Sequence, residues 1–407
     1  MSSRQERGLA SRAAAIALAS FASLSCTQTT ELLPVPMAAC VAPGPPIRIG
    51  GTDAQSCTGA LAARYGRYAL CSCNDLTLTG MLAVGGPGGP QKPGGEAGPG
   101  APAPQSFVSA VGTDGNLRVT DLTEVAGSLV TAGSREATFV RGGHIQGNLR
   151  GAGGFTTMTT MGVWVSGEMS SAGDVSGLFK VVGGPLRVPA GVQVAPDVQS
   201  MGVSREPVHV EGPCGCGAAS APDLVAAVAE RKTRNANQSL SFSVDLLSNV
   251  AAPEALVIPC GEFYLPELRS TDAGRLELRV QGRAALFVAG DVHLGHSLFV
   301  TLDEGAELDL VVAGLFEMTG GVFGSSSSPA RVRLWVGGRT VSLPPNVQFS
   351  AAVYAPDAVF SAGLNLRFSG SLYVGALNVS GDVRIAYDPK VAQGGALCGA
   401  APPAPVD

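Results

Sequence analysis

Histidine is scarce in this chain: there are four among 407 residues, at His144, His209, His293 and His296. Chemistry that rests on imidazole has few places to sit. The one near pair, His293 and His296, is three residues apart, and on a strand such positions face opposite ways, so they do not share a metal. Lysine is as rare, with 4 of the 27 basic residues, and no Lys/Arg cluster interrupts a net charge of −5. That balance excludes nucleic acid as a partner. Aromatics make up only 5% of the chain against 55 Gly, which suits thin strands and tight turns better than a helical bundle. No apolar run reaches the ~20 residues that a membrane-spanning helix needs. No Gly-x-Ser-x-Gly elbow has His and Asp partners, and no Gly-rich loop carries the Lys and helix of a phosphate site.

What the chain does have is repetition. Between 286 and 388 one short phrase recurs five times: Leu286-Phe287-Val288-Ala289-Gly290, Leu310-Val311-Val312-Ala313-Gly314, Leu334-Trp335-Val336-Gly337-Gly338, Val353-Tyr354-Ala355-Pro356-Asp357 and Leu372-Tyr373-Val374-Gly375-Ala376. Their first residues are 24, 24, 19 and 19 apart. Each phrase alternates as a strand does and ends in a turn former. A period near 20 built this way predicts an all-β, right-handed β-helix (solenoid) of stacked short rungs, because a rung alone cannot bury its inner face. If the phrases stack, positions one and three form aliphatic ladders inside. Position two, with Phe287, Val311, Trp335, Tyr354 and Tyr373, then forms an outward stripe. The stripe is expected to be covered, since exposed aromatic ladders invite aggregation. Left open, it would bind glycan or a protein partner.

The N-terminus reads as an export signal over residues 1–25. Arg4, Arg7 and Arg12 precede an apolar run at 13–24, and Ser23-Leu24-Ser25-Cys26 resembles a lipobox, with Leu one place nearer the Cys than usual. Cys26 is therefore the expected lipidation site, followed by a tether to residue 45 and a link to the membrane. Of nine Cys, eight then remain as disulfide candidates: Cys40, Cys57, Cys71, Cys73, Cys214, Cys216, Cys260 and Cys398. An exported chain favours disulfides among them, at least three, with connectivity open. The pairs Cys71/Cys73 and Cys214/Cys216 could instead offer four thiolates to zinc, although C-x-C is tighter than the usual spacing of structural zinc sites.

Residues 46–203 read as an N-terminal solenoid part, with a first strand-like run at 47–49, one helical turn at 60–64 and a strand from 68 to 79. A disordered Gly/Pro-rich loop is expected at 85–104. Gly115, Gly127, Gly147 and Gly167 each precede or open a strand, at intervals of 12, 20 and 20. A connector, 204–254, holds the second C-x-C pair and one flanking helix, 220–234. That helix is expected to be N-capped by Ser220, to carry an apolar stripe of Leu224, Val225 and Val228, and to cover the aromatic stripe. Residues 255–390 form the C-terminal solenoid part and 391–407 a disordered tail. The acidic groups Asp303/Glu304 and Glu307/Asp309 are candidates for paired-carboxylate chemistry, but Asp303-Glu304-Gly305 reads as a turn and Asp309 as an outward strand residue.

Residues 284–292, 305–314 and 353–358, with the closing 383–388, resemble a family of uncharacterised domains on predicted surface lipoproteins and pilus-assembly-like proteins of Gram-negative bacteria. The family tends to have His where Ala386 stands. Cys71-Ser72-Cys73 and Pro213-Cys214-Gly215-Cys216 fit the same group. The stacked pattern is also similar to bactofilins, which polymerise end to end. The resemblance implies a β-helical protein of the outer membrane or cell surface, without activity to carry over. The expected role is structural, adhesive or in assembly, with an envelope glycan or surface protein as partner and no cofactor or metal. The other class considered is a carbohydrate-active β-helix enzyme.

Overall fold

The five phrases lie side by side as parallel strands in the computed structural model, which describes residues 44, 46–50, 56–86, 110–217, 221–396 and 398. The expected signal segment, Cys26, Cys40, Ser220, nearly all of the tether and most of the Gly/Pro-rich stretch lie outside the described residues. The fold is mostly β, with the strands gathered in one 27-stranded and one 5-stranded sheet. Pairing is parallel, and for most of the chain each strand pairs with the strands three before and three after it. The chain thus returns to the same ladder every three strands, giving tiers along three ladders.

The second ladder carries the phrases. Leu286 pairs with Leu310, Leu310 with Leu334, Leu334 with Val353, and Val353 with Leu372. These residues, and Val288, Val312, Val336, Ala355 and Val374, belong to the main buried core, while position two belongs to a separate buried cluster on the other side of the ladder. The shorter intervals of 19 are served by two long strands, Gln348–Ala362 and Leu366–Val379, each of which runs through all three ladders. Among the early glycines, Gly127, Gly147 and Gly167 stack by hydrogen bonds from one tier to the next, so 20 residues make one tier there. Gly115 instead pairs with Gly133 in another turn, which explains its interval of 12.

The stacking order is not the chain order. Strand Tyr68–Ser72 pairs on one edge with residues 372–374 and on the other with 110–113, and Leu82–Gly85 pairs with Val383–Ala386. The N-terminal part therefore continues the C-terminal part, beginning where the latter ends. Residues 206–253 must run back along the whole stack, from Val203–Arg205 at one end to Glu254–Ile258 at the other. The return path follows the second ladder. It meets the tier of residues 68–72 at Cys214 and Cys216, then lays helix α2 (Leu224–Arg231) across residues 261–265, 283–288 and 307–312. It ends in two short 3-10 turns, Asn237–Ser239 and Val244–Ser248, over the first tier, where Leu247 is buried.

Several local expectations are corrected. Two α-helices flank the stack rather than one, because the single turn expected at 60–64 is α1, Thr58–Tyr65. Helix α2 is shorter than 220–234 and is capped by Asp223, whose carboxylate accepts from the Ala226 N–H. Its buried stripe is Leu224, Ala227 and Val228, and Val225 is exposed. The strand expected at 68–79 breaks into Tyr68–Ser72 and Leu76–Leu78, and a register shift puts Ala69 in the main core rather than beside Cys71. Residues 47–49 make only an isolated bridge, Arg48 to Cys57. Gly85, expected to open the loop, closes a strand. The tail is not frayed from 391: Pro389–Gln393 is a 3-10 turn against α1, with Val391 buried, because Asp388 caps it and Cys398 is bonded to Cys57.

Candidate functional site

The aromatic stripe is the first candidate, and it is closed. Phe287, Trp335, Tyr354 and Tyr373 are at most 4% exposed. The cover is shared. Helix α1 brings Tyr65 against Tyr354 at 4.3 Å and Tyr373 at 5.1 Å between ring centroids, and α2 sets the Arg231 guanidinium 5.0 Å over Phe287. Burial raises the Tyr354 and Tyr373 hydroxyls well above the usual tyrosine value. Tyr373 donates to the Cys214 carbonyl at 2.7 Å, which ties the stripe to the return segment.

The two C-x-C pairs bond to each other. Cys71 is joined to Cys214 and Cys73 to Cys216, two staples in the same register, each spanning 143 residues. With Cys57–Cys398, and Cys260 also disulfide-bonded, all seven described Cys are oxidised. The Asp114 carboxylate accepts from the backbone N–H of Cys214 at 2.9 Å and of Cys216 at 3.1 Å. Asp114 and the two sulfurs lie within metal-binding distance of one another, but sulfurs held in disulfides are not thiolate ligands. The expectation of at least three disulfides holds. Such bonds point to an oxidising compartment outside the cytoplasm. Among the described residues no helix is long and apolar enough to cross a membrane.

The acidic candidates have structural partners. Asp303 pairs with Arg279 at the surface. Asp309 does face outward from its strand, yet it is fully buried: it accepts from Arg333 Nε at 2.6 Å and from Trp335 Nε1 at 2.8 Å. Arg333 also donates to Glu307 at 2.8 Å. Burial by itself would lower the Arg333 pKa and raise that of Glu307, but the mutual attraction wins in both, so Arg333 stays charged and Glu307 sits below its ordinary value. Asp309 and Arg333 are closed off from solvent, so the network does not open to substrate. His293 bonds Glu317 at 3.0 Å and His296 accepts from the Ser297 N–H, so the pair shares nothing.

The open site is elsewhere, on the first ladder. Successive strands Thr123–Val125, Gly143–Ile145, Val163–Val165 and Phe179–Val181 place Glu124, His144, Trp164 and Lys180 in register on the outer face. Trp164 is 47% exposed, and Met158 and Met161, in the turn before it, are 65% and 62% exposed. Leu122, Glu124, Arg141, Gly143, His144, Met161, Gly162 and Trp164 line a cavity of about 310 Å³. Gly143 and Gly162 stand where a neighbouring tier packs too closely for a side chain. Both stand at positive φ, 156° and 68°, and a Cβ on Gly143 would run into the Thr123 carbonyl. Lys180 Nζ lies 4.1 Å over the Trp164 ring, His144 Nε2 is 2.9 Å from Ser166 Oγ, and Arg141 pairs with Asp121 at 3.2 Å. Desolvation raises the Glu124 carboxyl pKa and lowers that of the His144 imidazole. The sequence reading passed over this site. Its signal was Val163-Trp164-Val165, where strand alternation turns a large aromatic outward between two buried valines.

Comparison with known proteins gives one finding. A model described as a domain of unknown function (DUF7305) matches residues 220–393. No curated protein matches. No solved structure matches either. The matched span contains the five phrases, helix α2 and the buried Arg333 network, so the C-terminal part of this chain is similar to that domain.

Proposed function

We propose that the tiers are the coils of a right-handed β-solenoid, and that the protein is a non-enzymatic component of the cell envelope or cell surface with a structural, adhesive or assembly role. One observation carries this reading: a single parallel stack whose return segment is stapled to it by two adjacent disulfides, Cys71–Cys214 and Cys73–Cys216. Such cross-links persist outside the cytoplasm and suit a rigid, long-lived scaffold. The chemistry-bearing pair Glu307/Asp309 serves that scaffold by neutralising a buried arginine. Membrane attachment through a lipid on Cys26 belongs to the same reading, as does the likeness to surface lipoproteins. An assembly role draws on the unequal ends of the stack. Residues 237–248 fold over one end, while at the other Val192, Val194 and Val198 are only half-covered and Met201 and Val203 are exposed.

The test is fractionation. The intact protein is expected with the membranes, and Cys26→Ser is expected in the soluble fraction. Thiol titration of the denatured, unreduced protein should find few free thiols. Six or more, or a variant that stays on membranes with the same N-terminus, would overturn the reading.

The second reading, a polysaccharide lyase or glycosidase on a β-helix, is favoured by the Glu124 slot, where a half-buried carboxyl of raised pKa lines the same cavity as Arg141. It calls for release of reducing ends or unsaturated sugars that is lost in Glu124→Gln.

A further inference from the structure

We propose that the slot between Glu124 and Trp164 is a subsite for one neutral pyranose ring of a surface glycan. The proposal rests on the adhesive reading and gives it a site and a ligand class.

The dimensions come from the ladder. Glu124, His144 and Trp164 occupy consecutive tiers in register, and neighbouring strands are ~4.8 Å apart, so the three strand positions span ~9.6 Å and the three side chains form one row. A single saturated ring matches the length of that row and can lie beside it, in the cavity that Leu122, Arg141 and Met161 close on the other side, against the exposed part of the indole. The cavity of about 310 Å³ lies at the low end of the ~300–1,000 Å³ usual for ligand pockets, which suits one ring better than a buried oligomer.

The chemistry selects the class. The indole face carries negative potential and attracts the C–H face of a sugar. Lys180, from the tier beyond, already lies over the ring, and the indole keeps enough exposed surface for a ligand beside the row. That cation also disfavours a second cation at the same ring. Arg141 is engaged by Asp121, and Glu124 adds an acceptor, so an anionic ligand finds no free positive centre among the lining residues. What remains is a set of mixed donors and acceptors — the Glu124 carboxyl, the His144 imidazole, the Arg141 guanidinium — at the edge of an aromatic platform, which matches ring hydroxyls. Met158 and Met161 extend the apolar rim and account for side chains otherwise left bare to solvent.

The experiment uses the full chain with four free sugars as probes: glucose, galactose, mannose and N-acetylglucosamine. Choline chloride and inorganic phosphate serve as contrasts. Binding is followed by saturation-transfer NMR and by the Trp164 part of the fluorescence, taken as the difference between the native protein and Trp164→Phe. At least one of the four sugars should bind and shift the emission. Trp164→Ala should weaken that binding by about tenfold or more, consistent with loss of an aromatic face. Glu124→Gln, which keeps the shape, should weaken it less, and both variants should keep the native circular dichroism and melting temperature. No response to any of the four sugars overturns the proposal, as does binding that survives Trp164→Ala. Binding of choline or phosphate alone overturns it too, by assigning the slot to another ligand class. Protein that fractionates with the envelope but ignores sugars defeats only this inference. Protein that binds sugar but stays reduced in the cytoplasm defeats only the surface reading.

Discussion

The two adjacent staples should not contribute equally when removed one at a time and together. In the chain-entropy picture, a cross-link closing 143 residues contributes about 5 kcal/mol. Once Cys71–Cys214 is formed, however, Cys73–Cys216 closes only a small ring of the residues between the two bonds. Such a ring is worth about 2 kcal/mol. The same holds with the roles exchanged. Removing either bond alone, as Cys71→Ser/Cys214→Ser or Cys73→Ser/Cys216→Ser, should therefore cost about 2 kcal/mol, and removing both about 7 kcal/mol. The excess of about 3 kcal/mol over two independent losses marks a segment held twice at one place. The loss with both gone is on the scale of a whole domain's stability, so the four-Ser chain is expected to release the return segment and with it the part of the aromatic stripe's cover that α2 supplies. Urea unfolding of the three variants, followed by far-ultraviolet circular dichroism and by protease cleavage between residues 206 and 223, measures this directly. Additive losses, or a four-Ser variant that keeps residues 206–223 protected, would refute the reasoning.

Other outcomes follow from the same geometry. Asp309→Ala leaves Arg333 charged and buried without its main partner, and a loss of about 3–5 kcal/mol in denaturant unfolding is expected. Stability should fall on acidification. Glu307 is held below its ordinary 4.5 by Arg333, so its contribution is present above that value and disappears as pH drops through the lower folded value; a flat acid limb in Glu307→Gln checks the assignment. At alkaline pH the sign reverses for buried phenols. Unfolded tyrosines ionise from 10.0, whereas burial pushes Tyr387 up to about 12 and Tyr354 and Tyr373 higher still, so unfolding should be promoted from about pH 10 upward, read by the phenolate absorbance. In Trp164→Phe, emission reports Trp335 alone, and its 3% exposure predicts a blue-shifted band resistant to acrylamide; strong quenching would mean that the cover is absent.

The amino-acid sequence was sufficient for whatever depends on neighbours along one strand. The alternation of Leu286, Phe287 and Val288, repeated four more times, specified which residues lie inside and which register the tiers adopt, because a slip of one residue would turn the whole aliphatic set outward. It also marked the turns, and it identified Asp309 as an outward residue. Burial of that outward face was a different matter. Tyr354 lies against Tyr65 of α1, Trp335 packs on Tyr354 and donates to Asp309, so the cover of this face involves a helix more than two hundred residues away in sequence, and no local pattern relates the two. The same distance hid the order of stacking. A parallel tier leaves equivalent open edges on both sides, so strand pattern alone does not say that residues 68–72 add to 372–374 rather than only to 110–113. That choice sends the connector back along the stack, and the return path in turn brings Cys214 and Cys216 to Cys71 and Cys73, a pairing that Cys spacing left open among many. It also leaves the Glu124–Trp164 face bare among the described residues, since the returning segment runs along the second ladder and not the first. Periodicity determined the tiers, while the meeting of distant edges decided what is covered, what is stapled and what stays exposed among the described residues.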